Sequence, residues 1–310
     1  MKRNITICVD GKNLLQPISG ISRYLSITLK YLAEFGVSVH LICPDKPKDE
    51  YKIPESINLH IAQKPQYFGP LQWHYFILPS LVNKIGCDVF WGPAHRLPIN
   101  LKDNIFTVVT CHDLVCRRIP ATMKFNRYLS DRIQLPLSMK RSSLIHAVSK
   151  STYDDICRYY PYLHHKTFST LPHLGIENFA KTQKHRSLKR KFGKYALFVG
   201  TFEPRKNLKN LFKAFEILWK KGLDTPELKL AGRQGWGNND IKEFVERSDW
   251  RSKIEIIFNP DDTRLKYLYE NCRFLIMPSL HEGLGLPVIE AKNYKKPAII
   301  TSGSLEEVAD

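Results

Sequence analysis

Short apolar runs rich in β-branched and aromatic residues alternate with amphipathic segments along this chain. The first run, ITICV at 5–9, is followed by a glycine-containing loop, a segment with helical spacing at 21–36 and a second run at 37–44. Strand, loop, helix and strand in this order form a βαβ unit, in which the two strands are parallel. The alternation therefore predicts an α/β fold built on parallel sheets.

The same alternation starts again in the second half of the chain, after a polar and basic connector at 175–194. Two successive α/β blocks predict two Rossmann-like domains, with residues 1–178 in the first and 179–310 in the second. Further strands are predicted at 88–93, 104–113, 144–149, 195–201, 227–232, 254–259 and 273–279. Further helices are predicted from Ser151 to the residue before Pro161 and at 207–222.

The charge of the chain indicates its partners. Its 310 residues include 47 Lys and Arg against 30 Asp and Glu, a net charge of +17. Such an excess favours polyanions: nucleotide phosphates, nucleic acid or an anionic membrane surface. No stretch approaches the roughly 18 uncharged apolar residues of a membrane span, so any membrane contact is expected to be peripheral.

The cysteines and the N-terminus indicate the compartment. Seven cysteines are scattered without a CxxC pair, which argues against a zinc knuckle or a disulfide framework. The N-terminal residues turn polar after one short apolar run, so no signal peptide is evident. We therefore expect a cytoplasmic protein, with the inner face of the membrane as a candidate place of work.

Two adjacent cations, Arg205 and Lys206, follow a predicted strand and precede a predicted helix. Open α/β sheets bind ligands at the carboxyl ends of their strands, and a helix N-terminus beside two cations suits a diphosphate. A solvated basic turn is the alternative, because runs of charge usually mark exposed surface.

Two glutamates flank a Gly-x-Gly turn in PSLHEGLGLPVIEA at 278–291. Gly283 and Gly285 allow backbone N–H groups to approach a phosphate closely. Glu282, in the loop, can accept hydrogen bonds from sugar hydroxyls, and Glu290, about two turns into the following helix, can accept them from a ribose. A purely structural turn remains the alternative.

His112 and Gly20 are candidates in the first half of the chain. His112 ends a predicted strand and would face the ligand edge of the sheet, although most strand-end histidines are structural. Cys111 and Cys116 lie close to His112, but a fourth zinc ligand is not evident. Gly20 precedes the first helix, where phosphate contact and an ordinary helix start are both open.

A basic segment at 117–150 carries one acid, Asp131, and the aromatic residues Phe125 and Tyr128. This composition fits anionic lipid headgroups, a nucleic-acid face or a solvated basic surface. Its basic residues are Arg117, Arg118, Lys124, Arg127, Arg132, Lys140, Arg141 and Lys150.

Several segments together resemble the family-4 retaining nucleotide-sugar glycosyltransferases. The segments are LFVGTFEPRKNLKNLFKAF, LKLAG and FNPDDTRLKYLYENCRFLIMPSLHEGLGLPVIEAKNYKKPAIITSGSLEEVAD, with HAVSKST and LPHLGIE upstream. The resemblance implies the GT-B fold, with two Rossmann-like domains whose parallel sheets face each other across a cleft. The N-terminal domain would lie on the acceptor side, and the C-terminal domain would bind the donor.

The resemblance also implies roles for residues. Arg205 and Lys206 would contact the donor diphosphate, Glu282 and His112 the donor sugar, Glu290 the ribose and Gly20 the phosphates. The turn Gly283, Leu284, Gly285 and Leu286 would contribute backbone amides to the donor site.

The implied reaction is metal-independent transfer of a sugar with retention of configuration, without a cofactor. No DxD triplet is present, in agreement with this expectation. The donor would be a nucleotide-diphosphate sugar, with GDP-mannose favoured by family habit. The acceptor would be a glycan or a lipid-linked sugar in surface polysaccharide synthesis.

Two departures from the family pattern leave alternatives open. Thr201 stands where many relatives have arginine, and the chain stops at Asp310, so we expect an incomplete C-terminal domain. An inactive nucleotide-sugar-binding protein is the first alternative. A nucleic-acid-binding protein, suggested by the charge of +17, is the second, although no nucleic-acid partner is expected.

Overall fold

The computed structural model describes residues 5–62, 72–170, 193, 195–237 and 239–309. Within them, parallel strands alternate with helices. The strands are β1 Thr6–Asp10, β2 Ser38–Cys43, β3 Asn58–Ile61, β4 Val89–Gly92, β5 Phe106–Cys111, β6 Leu144–Ala147, β7 Thr167–Ser169, β8 Tyr195–Val199, β9 Glu227–Gly232, β10 Ile254–Phe258, β11 Cys272–Met277 and β12 Ala298–Ile300.

The helices connect these strands. They are α1 Gly20–Glu34, α2 Leu78–Ile85, α3 Val115–Arg118, α4 Phe125–Arg141, α5 Lys150–Tyr159, α6 Leu208–Lys220, α7 Asn239–Arg247, α8 Asp262–Asn271, α9 Leu286–Asn293 and α10 Glu306–Ala309. A π-helical turn, Trp73–Ile77, leads into α2, and a short 3-10 helix, Pro204–Lys206, precedes α6.

Two parallel sheets organise the chain. The first has the strand order β3-β2-β1-β4-β5-β6-β7, and the second has the order β10-β9-β8-β11-β12. All neighbouring strands in both sheets pair in parallel. The expected α/β class with two parallel-sheet, Rossmann-like blocks is therefore confirmed.

Contacts divide the chain into two compact units. One unit contains Met1–Leu114 and Leu129–Leu174, and the other contains Val115–Tyr128 and Gly175–Asp310. The connector predicted at 175–194, and with it the predicted boundary between residues 178 and 179, lies outside the described residues except for Gly193.

The core of the second unit forms between its sheet and α6. Phe198 on β8 and Phe212 and Phe215 on α6 are buried in one apolar cluster, together with Leu230 on β9. Because α6 is amphipathic, it buries one face here and leaves Ile217 exposed on the other. This packing fixes the start of α6, and therefore the cations that precede it.

Two helix starts differ from the sequence-based expectation. Helix α1 begins at Gly20 itself, because Ser19 caps it: the Ser19 hydroxyl accepts from the Ser22 amide at 3.2 Å. Helix α5 is capped by Ser149, whose hydroxyl accepts from the Thr152 amide, so Ser151 lies inside the helix. In each case a hydroxyl that reaches the third amide of the helix decides the boundary.

None of the helices in the described part of the chain combines the length and the apolar character needed to cross a bilayer.

We predict that Gly232→Ala destabilises the second unit. A Cβ atom at Gly232 would overlap the carbonyl oxygen of Gly200, where the ends of β8 and β9 run side by side. Backbone atoms move reluctantly, so the free energy of unfolding should fall by about 3 kcal/mol. Urea unfolding measures this change.

Gly222→Ala is the matched control. Gly222 has a φ of 65° but open space around it, so only a conformational cost of about 1 kcal/mol is expected. Equal stability losses in the two variants would contradict the close approach of the strands at Gly232.

Candidate active site

Strand order brings two distant loops of the second unit together. Strand β8 pairs directly with β11, so the loops at their carboxyl ends lie side by side. The first loop carries Arg205 and Lys206, and the second carries Glu282. Residues about 76 positions apart in sequence therefore meet at one sheet edge.

Glu282 binds both cations through its two carboxylate oxygens. Arg205 Nη1 donates to Glu282 Oε2 at 2.8 Å, and Lys206 Nζ donates to Glu282 Oε1. Arg205 Nε also donates to Glu203 Oε2 at 3.0 Å. Two positive and two negative side chains thus form a charge-balanced cluster.

Backbone contacts hold the Glu282 loop from both neighbouring strands. On the β8 side, the Leu280 amide donates to the Arg205 carbonyl at 2.9 Å. On the β12 side, the Thr301 hydroxyl donates to the Ser279 carbonyl, and the Glu282 amide donates to Ser304 Oγ at 3.0 Å. The Glu282 carboxylate is therefore held in place before any ligand arrives.

Burial makes the Glu282 charge depend on its partners. Glu282 and Lys206 are both almost completely buried, whereas the Arg205 side chain is about one-fifth exposed. Burial raises the pKa of Glu282, but the Lys206 and Arg205 charges and the hydrogen bond from Lys206 outweigh it and set the pKa at about 2. Burial lowers the pKa of Lys206, and the Glu282 charge opposes that shift.

The glycine turn leads directly into α9. Gly285 caps this helix with a φ of 75°, and a Cβ atom there would overlap the Leu305 side chain. Gly283 and Leu284, the first two residues of the turn, are buried, and Leu286 is the first residue of the helix. Three residues separate Glu282 from the amino end of α9, where the helix dipole is positive.

Glu290 lies about one turn into α9 and not two turns, because the helix begins at Leu286. Its Oε2 atom accepts from the Tyr269 hydroxyl of α8 at 2.6 Å. The Tyr269 ring stacks on Tyr294 with 5.3 Å between centroids. The carboxylate is buried and oriented, and its predicted contact with a ribose stays a prediction.

His112 follows β5 in the first unit. Its Nε2 atom donates to the Pro93 carbonyl at 2.7 Å, so Nδ1 carries the lone pair of the neutral ring. Burial lowers the pKa of His112 to about 4, with a further contribution from His95. The ring is therefore uncharged at neutral pH.

Tyr24 joins His112 to a second buried histidine. The Tyr24 ring lies edge-on to His112 at 5.1 Å, and its hydroxyl is 3.2 Å from His146 Nδ1. Tyr24 belongs to α1, which begins at the exposed Gly20. His112 therefore packs against α1 within the first unit.

The structure thus groups the predicted site residues into two sets. Arg205, Lys206 and Glu282 are in contact, and the turn into α9 follows them along the chain. His112 and the α1 residues lie in the first unit. Sequence reasoning missed Glu203, Ser304, Tyr269, Tyr24 and His146; only Glu203, two residues before Arg205, had a local signal.

Family models match both halves of the chain. The model for Glycosyltransferase Family 4 matches residues 18–170, and the model for Glycosyl transferases group 1 matches residues 180–309.

Curated relatives carry mannosyltransferase names. O-antigen chain mannosyltransferase B of Escherichia coli is 29% identical over 229 residues, which are 71% of this chain and 58% of that protein. The serotype-specific mannosyltransferase WbdA of Escherichia coli is 40% identical over 105 residues, 34% of this chain and 13% of that protein. The chain therefore spans less than two thirds of the length of these relatives.

Solved structures share the fold at low identity. The glycosyltransferase WaaG of lipopolysaccharide biosynthesis superposes with a TM-score of 0.69 at 14% identity, covering 98% of this chain and 83% of that chain. Sucrose-phosphate synthase from Thermosynechococcus elongatus superposes with a TM-score of 0.71 at 15% identity, covering 96% and 82%.

Two parallel α/β units that match these structures place the protein in the GT-B fold class. With one family model on each half, the chain belongs to the family-4 glycosyltransferases.

We predict that Glu282→Gln removes a pH-dependent contribution to the free energy of unfolding. The folded-state pKa of about 2 lies below the value of 4.5 for a free carboxyl. Ionised Glu282 therefore stabilises the fold above pH 4.5, and this contribution disappears as the pH falls through 2. The difference in unfolding free energy between wild type and variant should shrink from about 3 kcal/mol at pH 6 toward zero at pH 2.

Urea unfolding from pH 2 to pH 6 measures this difference, with Glu246→Gln as the control. The Glu246 side chain is two-thirds exposed, so its substitution should leave the unfolding free energy nearly unchanged throughout. A Glu282→Gln difference that does not vary with pH would refute the ion-paired state of Glu282.

Proposed function

We propose that this protein transfers a sugar from a nucleotide-diphosphate donor to a glycan or lipid-linked acceptor in surface polysaccharide synthesis. Mannose carried by GDP is the favoured donor, since relatives from two bacteria are named O-antigen mannosyltransferases. The observation that carries the proposal is the cluster of Arg205, Lys206 and Glu282 at the carboxyl edge of β8 and β11.

The two cations are suited to the leaving group. When the glycosyl–phosphate bond breaks, negative charge grows on the diphosphate, and fixed cations stabilise that state more than the ground state. Arg205 offers a planar fork of N–H donors, and Lys206 supplies a charge in a dry environment. The amino end of α9 adds backbone dipoles from the Gly283 to Leu286 turn.

Glu282 has two tasks in this proposal. Without donor, its carboxylate neutralises Arg205 and Lys206, which could not otherwise stay buried as charges. With donor bound, the phosphates share the cations, and the carboxylate accepts hydrogen bonds from sugar hydroxyls. Glu290, oriented by Tyr269, accepts from the ribose hydroxyls.

We propose transfer with retention of configuration. The bond from the sugar C1 to the phosphate oxygen breaks, and its electron pair stays on the diphosphate. The acceptor hydroxyl oxygen bonds to C1 from the same face, and its proton passes to the departing phosphate oxygen. Glu282, ionised and held by two cations, is a poor nucleophile for the alternative covalent route.

Arg205 and Lys206 supply the positive charge for which other transferases use a metal ion, so the proposed reaction needs no metal and no cofactor. His112 is proposed to contact the donor sugar as a neutral imidazole. Gly20 is proposed to lie near the phosphates, where the absence of a side chain leaves space at the start of α1. The proposed place of work is the cytoplasmic face of an anionic membrane.

We predict selective thermal stabilisation by the donor. A ligand at one hundred times its Kd stabilises the folded state by about 2.7 kcal/mol, which raises Tm measurably. In a screen of GDP-mannose, UDP-glucose and the free diphosphates, GDP-mannose should give the largest shift. The partly exposed Arg205→Gln variant should lose this shift, whereas Lys213→Gln on the exposed face of α6 should keep it. Equal shifts with all nucleotides would refute a specific donor.

We predict that Arg205→Gln and Lys206→Ala each reduce turnover about 100-fold or more, because each removes charge stabilisation at the leaving group. Release of GDP in the presence of acceptor measures the rate, with Lys213→Ala as control and Tm as a check of folding. EDTA should leave the wild-type rate unchanged, and NMR of the product should show the donor's anomeric configuration. Wild-type rates in both cluster variants would show that the site lies elsewhere.

A further inference from the structure

Helix α4 has two apolar sides, and only one of them faces the protein. Leu135 and Met139 are buried against the first unit. A second row of large apolar residues occurs at every fourth position and is exposed to solvent. This row, called here the outer row, consists of Phe125, Leu129, Ile133 and Leu137, which are 72%, 46%, 51% and 53% exposed.

Helical geometry places the outer row away from the core. Successive residues rotate by about 100°, so positions four apart advance by only about 40° and form one continuous stripe about 18 Å long. Leu135 and Met139 lie on the other side of the helix, roughly opposite this stripe. Four large apolar side chains in a row on one solvent-facing surface mark an interaction site.

The charges around the outer row are positive. Lys124 is exposed at its beginning, and Lys140 and Arg141 are exposed at its end. Asp131, the one acid in the segment 117–150, lies away from the row and pairs with Arg96 at 2.7 Å. An apolar stripe with cations at both ends complements a partner that has an apolar interior and an anionic exterior.

A cavity of about 410 Å³ opens beside the end of the outer row. Leu137 and Arg141 of α4 line it together with Arg96, His74 and Tyr75. Arg141 donates one bond to the Pro98 carbonyl at 3.0 Å, which holds its guanidinium at the cavity. The Arg141 guanidinium next to the apolar Leu137 suits a phosphate headgroup whose chains continue along the stripe, whereas the Arg96 guanidinium is held by Asp131.

We propose that the outer row of α4 is a docking surface for an anionic lipid bilayer. The apolar side chains enter the boundary between headgroups and acyl chains, and Lys124, Lys140 and Arg141 contact lipid phosphates. A second copy of the chain fits this surface less well, because face-to-face copies would bring like charges together at the ends of their rows. The location at a membrane rests on the proposed function, but docking to lipid itself requires no transfer activity.

The first test is co-sedimentation with vesicles. The protein should bind vesicles that contain phosphatidylglycerol, and binding to pure phosphatidylcholine vesicles should be at least tenfold weaker. The triple variant Leu129→Ser, Ile133→Ser, Leu137→Ser should lose binding at least tenfold. The control Ile217→Ser, Leu223→Ser changes two equally exposed residues of the second unit and should bind like the wild type.

The charges are tested separately. Lys124→Gln and Lys140→Gln should each weaken binding to anionic vesicles about fivefold, and added salt should reduce the difference. The GDP-mannose thermal shift of the triple variant should equal that of the wild type. This readout distinguishes a failed docking surface from a failed donor site or a misfolded variant.

Depth is measured with a tryptophan in the row. The fluorescence of Ile133→Trp should shift to the blue on anionic vesicles and be quenched by lipids brominated in their acyl chains, whereas Ile217→Trp should show neither change. Unchanged vesicle binding by the triple variant would overturn the proposal. The proposal would also be overturned if the wild type did not bind vesicles and instead formed dimers, and if the triple variant were monomeric. The outer row would then bind a second copy of the chain.

Discussion

The ion pairs of Glu282 with Arg205 and Lys206 are the interactions on which the candidate site depends. A buried ammonium and a buried carboxylate are each unfavourable alone, because both lose hydration. Together they satisfy each other, and Glu203 balances the remaining charge of Arg205. The pairing in turn requires that β8 and β11 be neighbours, since only then do the two loops meet.

The same cluster connects stability with the proposed chemistry. Cations that are fixed before substrate arrives need no reorganisation when charge develops on a leaving group. The carboxylate that keeps them buried also lies between the two cations. In the proposed function, donor phosphates share the cations with Glu282, and the unliganded arrangement is the resting state of the site. The proposed front-face route agrees with the same contacts, because a carboxylate held by two cations is a poor nucleophile toward a sugar.

Much of the fold could be predicted because the longer strands are rich in apolar, β-branched and aromatic residues. Strand β9 occupies the predicted residues 227–232, and the helix after the Arg205 loop was predicted to within two residues. Strands β3, β7 and β12 were missed. They lie at the edges of their sheets and have three or four residues each, too few for a periodic signal. The depth of Glu290 in α9 was wrong by one turn because Gly285, and not an earlier residue, caps that helix.

The sequence by itself determined the parallel α/β class, the order of the strands along the chain and the residue types of the site. These depend on local periodicity and on short segments such as EPRKN and HEGLG, which are readable without contacts. Only the tertiary structure decided that Glu282 holds both cations, that Tyr269 orients Glu290 and that one apolar row of α4 remains outside. Each of these facts depends on which elements become neighbours, and the order of strands within a sheet is set by packing over distances that local sequence does not encode.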